Sequence, residues 1–170
     1  MGLHSRWRLV RMAMLALAVV AWLAPNAGAA DKRPLPSSLV QSVDGAPMPL
    51  DHLVAEGQWL VIYVLPDSTA AGRLLDALGQ WELPTLGRIR ILVGGAPAAA
   101  TAFAKRDRGL PELQWSLDPQ QSAWKDLQIT GVPALFGIKN GAIEWRLAGV
   151  LNDPTALRAV VTSWTGQSAP

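Results

Sequence analysis

The sequence predicts an α/β fold: an α/β sandwich in which helices flank a central mixed β-sheet, with an N-terminal β-hairpin. Apolar runs rich in β-branched residues alternate with segments in which apolar residues recur at helical spacing. Turn signals of the Asp-Gly and Asn-Gly type stand between short apolar runs near both ends of this pattern. The order strand, helix, strand, helix, hairpin, helix requires both parallel and antiparallel strand pairs.

The central strand and the helix that follows it are the clearest elements. Residues 59–65 form an unbroken apolar run, which is typical of a strand buried on both faces of a sheet. After this run, apolar residues recur at helical spacing at Leu74, Leu75, Leu78 and Trp81. Either Ser68 or Asp67 suits the N-cap position, because a short side-chain oxygen can accept a free backbone N–H.

The remaining elements follow from the same criteria. Two short strands are predicted within residues 38–50, joined at Asp44-Gly45, and Asn140-Gly141 joins the last two strands. Further strands are predicted at 88–93, 113–117, 132–138 and 142–147, and further helices at 97–106 and 119–127. A last helix is predicted to follow a cap at Asn152 or Asp153 and to extend through Trp164.

The first thirty residues have the three-part pattern of a secretory signal peptide. Three arginines precede the apolar run 12–23, and the small residues 27–30 follow it. This run is shorter than the about 20 residues that span a bilayer, although an uncleaved anchor or a buried helix is the alternative. We expect cleavage after Ala29 or Ala30, a periplasmic or secreted protein, and no stable membrane span in the mature chain. Residues 31–37 then form a flexible lead-in, 38–166 one domain, and 167–170 a C-terminal tail.

Composition excludes several functions. The 170 residues contain no cysteine, which excludes thiol nucleophiles, disulfides, thiolate zinc sites and cysteine-ligated iron–sulfur clusters. Without the signal, twelve of the fifteen Lys and Arg residues remain against thirteen Asp and Glu, so no basic surface for nucleic acid is expected. His52 and Met48 show no metal-ligand spacing, and no phosphate-binding glycine pattern is present. We therefore expect no metal and no cofactor.

Four pieces of the sequence occur in a recognisable order: the Asp44-Gly45 hairpin with residues 49–53, the strand 59–65, the segment Ile129-Thr130-Gly131-Val132-Pro133, and the turn at 139–143. Together they resemble the thioredoxin-like family, in particular its exported TlpA/ResA-like and DsbC-like branches, over about residues 36–166. The resemblance implies a cis peptide bond before Pro133. It also implies that the loop around this proline exposes backbone groups that pair with an extended peptide.

The sequence differs from this family at the residues that carry the family's redox chemistry. Redox members carry Cys-x-x-Cys at the start of the helix after the first central strand, where this chain has residues 65–73. One alignment places Ser68 and Ala71 at the cysteine positions, and another places Thr69 and Gly72 there. Neither supplies a sulfur, and the preceding strand has no carboxylate. Thiol–disulfide exchange needs a thiolate, so oxidoreductase activity and peroxiredoxin-type activity are not expected.

We therefore expect an exported, redox-inactive thioredoxin-like domain that serves as a protein-binding or assembly-assisting module. Its partner would be an envelope protein or an extended peptide, bound through main-chain hydrogen bonds that need no thiol. The predicted binding residues are Pro66, Asp67, Ser68, Thr69, Ala71, Gly72, Gly131, Val132 and Pro133.

Two other functions are consistent with the sequence. A non-thiol enzyme could use Ser68 or Thr69, for example with Ser68 paired to His52, although a simple helix cap is the alternative for Ser68. A structural subunit of an envelope complex could instead contact its partners through Trp115, Trp124 or Trp145, since tryptophan is enriched at interfaces. Burial in the core is the alternative for each of these tryptophans.

Overall fold

The computed structural model describes residues 32–81, 83, 86–106, 109–149 and 154–166. The predicted signal peptide, the last helix's cap at Asn152 or Asp153, and the C-terminal tail lie outside the described residues. No helix in these ranges is both long enough and apolar enough to cross a membrane.

In this part of the chain, eight strands form one mixed sheet in the order β1-β8-β7-β4-β5-β6-β2-β3. The strands are β1 (Arg33–Pro34), β2 (Leu39–Ser42), β3 (Pro47–Pro49), β4 (Gln58–Val64), β5 (Ile89–Gly94), β6 (Gln114–Asp118), β7 (Ala134–Lys139) and β8 (Ala142–Ala148). The neighbours β4, β5 and β6 are parallel, whereas the other pairs are antiparallel. The predicted mixed sheet with helices on both sides is confirmed.

Helices cover both faces of this sheet. They are α1 (Leu50–Leu53), α2 (Thr69–Gln80), α3 (Pro97–Ala104), α4 (Ser122–Asp126) and α5 (Pro154–Gly166), with a 3₁₀ turn at Leu86–Arg88. Buried side chains of α2, α3 and α5 form one core cluster with alternate residues of β4 and β5. Buried side chains of α1 and α4 form the second cluster on the opposite side. We name these two sides the α2 face and the α4 face.

The two clusters explain why the central strand is an unbroken apolar run. Leu60, Ile62 and Val64 of β4 belong to the α2-face cluster, whereas Val61 and Tyr63 belong to the α4-face cluster. Because successive side chains of a strand point to opposite faces, burial on both faces requires an apolar residue at each position.

Several elements differ from their predicted form. The segment 31–37 was predicted to be a flexible lead-in, but it contains β1, which pairs with β8, and the buried Leu35. The helix predicted at 119–127 begins only at Ser122, because a turn occupies 119–120 and Gln121 adopts a left-handed conformation with φ of 54°. His52 was predicted in a surface turn and lies exposed on the short helix α1.

Candidate functional site

Two loops of the predicted binding surface leave the same end of the sheet. In the antiparallel register of β4 and β7, Tyr63 is opposite Ala134. The loop that follows β4 and the loop that precedes β7 are therefore neighbours. Leu65 of the first loop and Val132 of the second pack against the same α4-face cluster. The structure thus brings together the two segments that the sequence predicts as one surface.

Ser68 is the N-cap of α2, as its sequence position predicts. Its backbone is extended, with φ of −77° and ψ of 110°, and its Oγ accepts a hydrogen bond from the Ala71 N–H at 3.2 Å. The Ser68 N–H donates to the carbonyl oxygen of Leu65 at 3.1 Å, which closes the turn before the helix. The hydroxyl therefore satisfies one of the N–H groups that a helix leaves without an intrahelical partner.

The predicted binding residues of the first loop differ in exposure. Asp67 and Thr69 are exposed, Pro66 and Gly72 are half-buried, and Ala71 is fully buried on the core side of α2. Asp67 and Thr69 are therefore accessible to solvent, whereas Ala71, which the sequence predicts as a binding residue, faces the core.

In the second loop, the peptide bond between Val132 and Pro133 is cis. Pro133 is buried, and its carbonyl oxygen accepts a hydrogen bond from the Gly149 N–H at 3.1 Å. A Cβ atom at Gly131 would lie 3.6 Å from the Cα of Gly149, so the chain beyond β8 runs against this loop. Gly149 has a φ of 87°, a backbone conformation that residues other than glycine rarely adopt.

A buried polar cluster, which sequence reasoning missed, lies on the α4 face beside the first loop. The Tyr63 hydroxyl donates to Oδ2 of Asp118 at 2.9 Å. Asp118 is fully buried, and its carboxylate also accepts from the Ser122 N–H (2.9 Å), the Ser122 hydroxyl (3.1 Å) and the Trp124 N–H (3.1 Å). These bonds fix the first turn of α4 to the end of β6. The sequence signal is weak: one tyrosine in an apolar run and one aspartate ahead of a short helix.

The buried carboxylate of Asp118 does not lie on the strand that leads into α2. No carboxylate is present on β4, and Asp118 comes from β6 on the face opposite to α2. Burial and the neighbouring Asp118 carboxylate both raise the pKa of Tyr63, so its hydroxyl stays a hydrogen-bond donor. The cluster therefore has the geometry of a structural anchor for α4.

A second polar group is buried nearer the other end of the sheet. Arg90 of β5 is 8% exposed and donates to the Ser116 hydroxyl at 3.0 Å and to Oε1 of Gln114. Its guanidinium lies 5.8 Å from the centre of the Trp59 ring, and that of Arg88 lies 5.2 Å from it. Burial lowers the pKa of Arg90. These contacts hold β5 to β6 and lie away from the two loops.

The six tryptophans that follow the predicted signal are all half-buried. Four of them make edge-on ring contacts, in three pairs: Trp124 with Tyr63 at 5.6 Å, Trp115 with Phe103 at 6.4 Å, and Trp145 with Trp164 at 5.4 Å. The Trp145 ring lies over Gly137, where a Cβ atom would be only 2.2 Å from the indole. Trp115, Trp124 and Trp145, which the sequence predicts as possible partner contacts, therefore bury part of their surface in internal packing.

The hydrolytic pairing of Ser68 with His52 is not assembled. His52 is exposed on α1, which packs on the α4 face, whereas Ser68 begins α2 on the other face. Across the described ranges, no group of three or more His, Asp or Glu side chains is arranged to hold a metal ion.

Comparison with known proteins gives a consistent fold. No protein-family model and no curated protein sequence matches this chain. A thioredoxin-like protein from Porphyromonas gingivalis is 16% identical with a TM-score of 0.62, and the match covers 80% of this chain and 94% of that one. A secreted disulfide oxidoreductase from Mycobacterium tuberculosis, homologous to DsbE of E. coli, is 11% identical with a TM-score of 0.57, over 75% of this chain and 96% of that one.

A third solved structure is an exposed lipoprotein thioredoxin from Streptococcus pneumoniae. It is 12% identical with a TM-score of 0.56, and the match covers 74% of this chain and 97% of that one. At these identities the likeness concerns the fold, and it confirms the fold that the sequence predicts. The chain therefore has the thioredoxin-like fold, and none of its 170 residues is a cysteine.

Proposed function

We propose that the protein is an exported, redox-inactive thioredoxin-like domain that binds an extended segment of an envelope protein. Its binding surface is formed by residues 66–72 and 131–133, apart from the buried Ala71 and Pro133, and we name it the two-loop surface. The observation that carries the proposal is the combination of a thioredoxin-like fold with the absence of cysteine. The scaffold is retained, while thiol–disulfide exchange has no sulfur to proceed through.

The chemistry of the two-loop surface supports peptide binding. The first turn of α2 presents backbone N–H groups that have no intrahelical partner, and Ser68 caps only that of Ala71. Pro66 and Val132 provide half-buried apolar surface, and Asp67 and Thr69 are exposed beside them. Main-chain donors flanked by small apolar patches suit an extended peptide, which offers carbonyl oxygens and alternating side chains.

Photo-crosslinking tests the binding role directly. A photoreactive amino acid is placed at Thr69 or Val132, and as a control at Val160, which is 39% exposed on α5 and belongs to neither loop. We expect the same envelope protein to be captured from both loops and not from Val160. Capture that is equal from all three positions would contradict a specific surface.

A matched pair of double variants completes this test. Ser68→Arg with Val132→Asp puts two charges on the two-loop surface and should abolish the crosslink. Gln80→Arg with Ala98→Asp puts the same charges on exposed positions of α2 and α3 and should leave it intact. Equal crosslinking by both double variants would reject this surface, and a partner mapped to Trp115 or Trp145 would favour the structural-subunit alternative.

Export is tested separately. Mass spectrometry of the protein from the envelope fraction should give a mature N-terminus at residue 30 or 31. A chain that retains residue 1 would instead indicate an uncleaved N-terminal segment.

A further inference from the structure

The turn between β7 and β8 is a contact point for two other parts of the chain. It consists of Asn140 and Gly141, whose φ values of 50° and 74° are both positive, and it links the paired residues Lys139 and Ala142. A two-residue turn of this kind is a type I′ turn, for which Asn-Gly is a preferred sequence. Asn140 is exposed to solvent, and no other asparagine of the sequence is followed by glycine.

The loop that precedes β4 holds Asn140 in place. The Asn140 N–H donates to the carbonyl oxygen of Gly57 at 2.8 Å, and Oδ1 of Asn140 accepts from the Gly57 N–H at 3.0 Å. A Cβ atom at Gly141 would lie 3.6 Å from the carbonyl oxygen of Ala55, so the turn and this loop are in contact. Asn140 is therefore fixed to the loop through both its main chain and its side chain.

The same turn also holds the N-terminal part of the described chain. The Leu35 N–H donates to the carbonyl oxygen of Gly141 at 2.9 Å, and the Leu35 side chain is buried in the α4-face cluster. β1 pairs with β8 at Ala142 and Ile143, directly after the turn. A change of main-chain geometry in the turn would therefore reach both β1 and the loop 55–57.

An asparagine followed by glycine can react with its own main chain. The backbone nitrogen of Gly141 attacks Cγ of Asn140, a C–N bond forms, and ammonia leaves, which gives a five-membered cyclic imide. Water then opens the imide at one of its two carbonyl groups and gives aspartate or isoaspartate. Glycine favours this attack because it has no side chain to obstruct it.

The folded turn opposes this reaction. Ring closure needs the Gly141 nitrogen and Cβ of Asn140 on the same side of the Cα–C bond and nearly in one plane. The ψ of about 30° at the first position of a type I′ turn places them well out of that plane. The reaction therefore requires a local opening of the turn, in which the contacts with Gly57 are lost.

We propose that Asn140 is a modification site, which deamidates slowly from locally opened forms of the folded protein, and that isoaspartate formed there releases β1 and the loop 55–57. Isoaspartate adds one methylene group to the main chain, so the turn no longer matches the register of β7 and β8. The hydrogen bonds between Asn140 and Gly57 and between Leu35 and Gly141 then lose their alignment. This site does not depend on the two-loop surface.

The rate of the reaction is the first test. The full chain is kept in mildly alkaline buffer with and without urea, and peptide mass spectrometry follows the conversion of the amide to an acid. We expect conversion at Asn140 that is at least about tenfold slower in the folded protein than in urea, because the turn must open first. Asn152, which is followed by aspartate, should convert more slowly in urea than Asn140 does. Equal rates of Asn140 in the two conditions, or no conversion in the folded protein, would overturn the proposal.

A pair of arginine variants tests the role of the loop. Nη1 of Arg88 lies 3.4 Å from the carbonyl oxygen of Glu56 and would lie 2.9 Å from a Cβ atom at Gly57, so this side chain covers the loop. Arg88→Ala should therefore accelerate the deamidation of Asn140 severalfold, whereas Arg73→Ala at an exposed position of α2 should not. Unchanged hydrogen exchange of β4 in both variants shows that general unfolding is not the cause. Equal rates in the two variants would contradict the role of this loop.

The modified protein tests the structural consequence. Ion-exchange chromatography isolates the deamidated chains, and an endoproteinase that cleaves before aspartate but not before isoaspartate distinguishes the two products. Asn140→Asp is the matched control, because it has the same charge without the additional methylene group, and the unmodified protein is a second reference. Hydrogen exchange at Leu35 and Gly57 should be at least about tenfold faster in the isoaspartate form than in Asn140→Asp, while β4 stays protected. Equal exchange at Leu35 and Gly57 in the two forms would overturn the release of β1 and the loop.

Discussion

Replacing Tyr63 by phenylalanine should destabilise the protein by about 2 kcal/mol. The tyrosine hydroxyl donates to the buried carboxylate of Asp118 at 2.9 Å, and both residues are fully buried. A hydrogen bond to a charged group contributes about 1.5–3 kcal/mol to stability. The substitution removes one oxygen atom and leaves Asp118 its three other hydrogen bonds, so the loss should lie within that range.

The measurement is equilibrium unfolding in urea, followed by tryptophan fluorescence and by circular dichroism. Thr165→Val is the matched control, because that buried hydroxyl donates to the neutral carbonyl oxygen of Val161 at 2.8 Å within α5. Its loss should cost about 0.5–1.5 kcal/mol at most. The free energy of unfolding should thus fall further for Tyr63→Phe than for the control, with unchanged urea dependence.

A double-mutant cycle with Asp118→Asn isolates the pair. The coupling free energy between Tyr63 and Asp118 should be favourable and of the order of 1 kcal/mol or more. A Tyr63→Phe cost below about 0.5 kcal/mol, or a coupling indistinguishable from zero, would refute the view that this carboxylate anchors β4, β6 and α4 together.

Three further predictions concern titration, packing and the helix start. Folding raises the pKa of Tyr63, which is the only tyrosine in the sequence, so the unfolded chain loses the tyrosine proton at a lower pH than the folded chain. Above pH 10.0, the free energy of unfolding relative to that of Tyr63→Phe should therefore fall by about 1.4 kcal/mol per pH unit. Tyrosinate absorption should appear only when the protein unfolds. Gly137→Ala should displace the Trp145 indole that lies over it and lower the melting temperature, at a cost of about 1–3 kcal/mol. Gly72→Ala has open space around its Cβ and should stabilise α2 by about 0.5–1 kcal/mol. A higher melting temperature for Gly137→Ala than for Gly72→Ala would contradict this reasoning. The thiol of Ser68→Cys should have a pKa below the usual value of about 8.5 and below that of Thr69→Cys, because only position 68 is the N-cap of α2. The pH dependence of alkylation measures both pKa values, and equal values for the two variants would count against this prediction.

Most of the elements were predictable because their signals are local. The apolar run of β4, the helical spacing of α2 and the two Gly-containing turns each depend on residues within one segment. The cap at Ser68 was predictable for the same reason, since it needs only its own position before the helix. The likeness to thioredoxin-like proteins followed from the order of these local elements.

The features that were missed depend on contacts between distant segments. Tyr63 and Asp118 are 55 residues apart in sequence, and nothing near either residue indicates the other. The pairing of β1 with β8 joins the start of the described chain to its last strand, which is why residues 33–35 were predicted to be flexible.

The position of α5 has a consequence for how the chain is made. This last helix packs against the central strand β4, and the Trp164 indole N–H donates to the carbonyl oxygen of Trp59 at 2.8 Å. The strand β7, which flanks β4 on one side, is also synthesised late. A chain still emerging from the ribosome therefore holds its central strand without one neighbour and without the helix that covers it. Folding is completed only once the last elements have been synthesised, and loss of the C-terminal helix exposes the middle of the sheet rather than its margin.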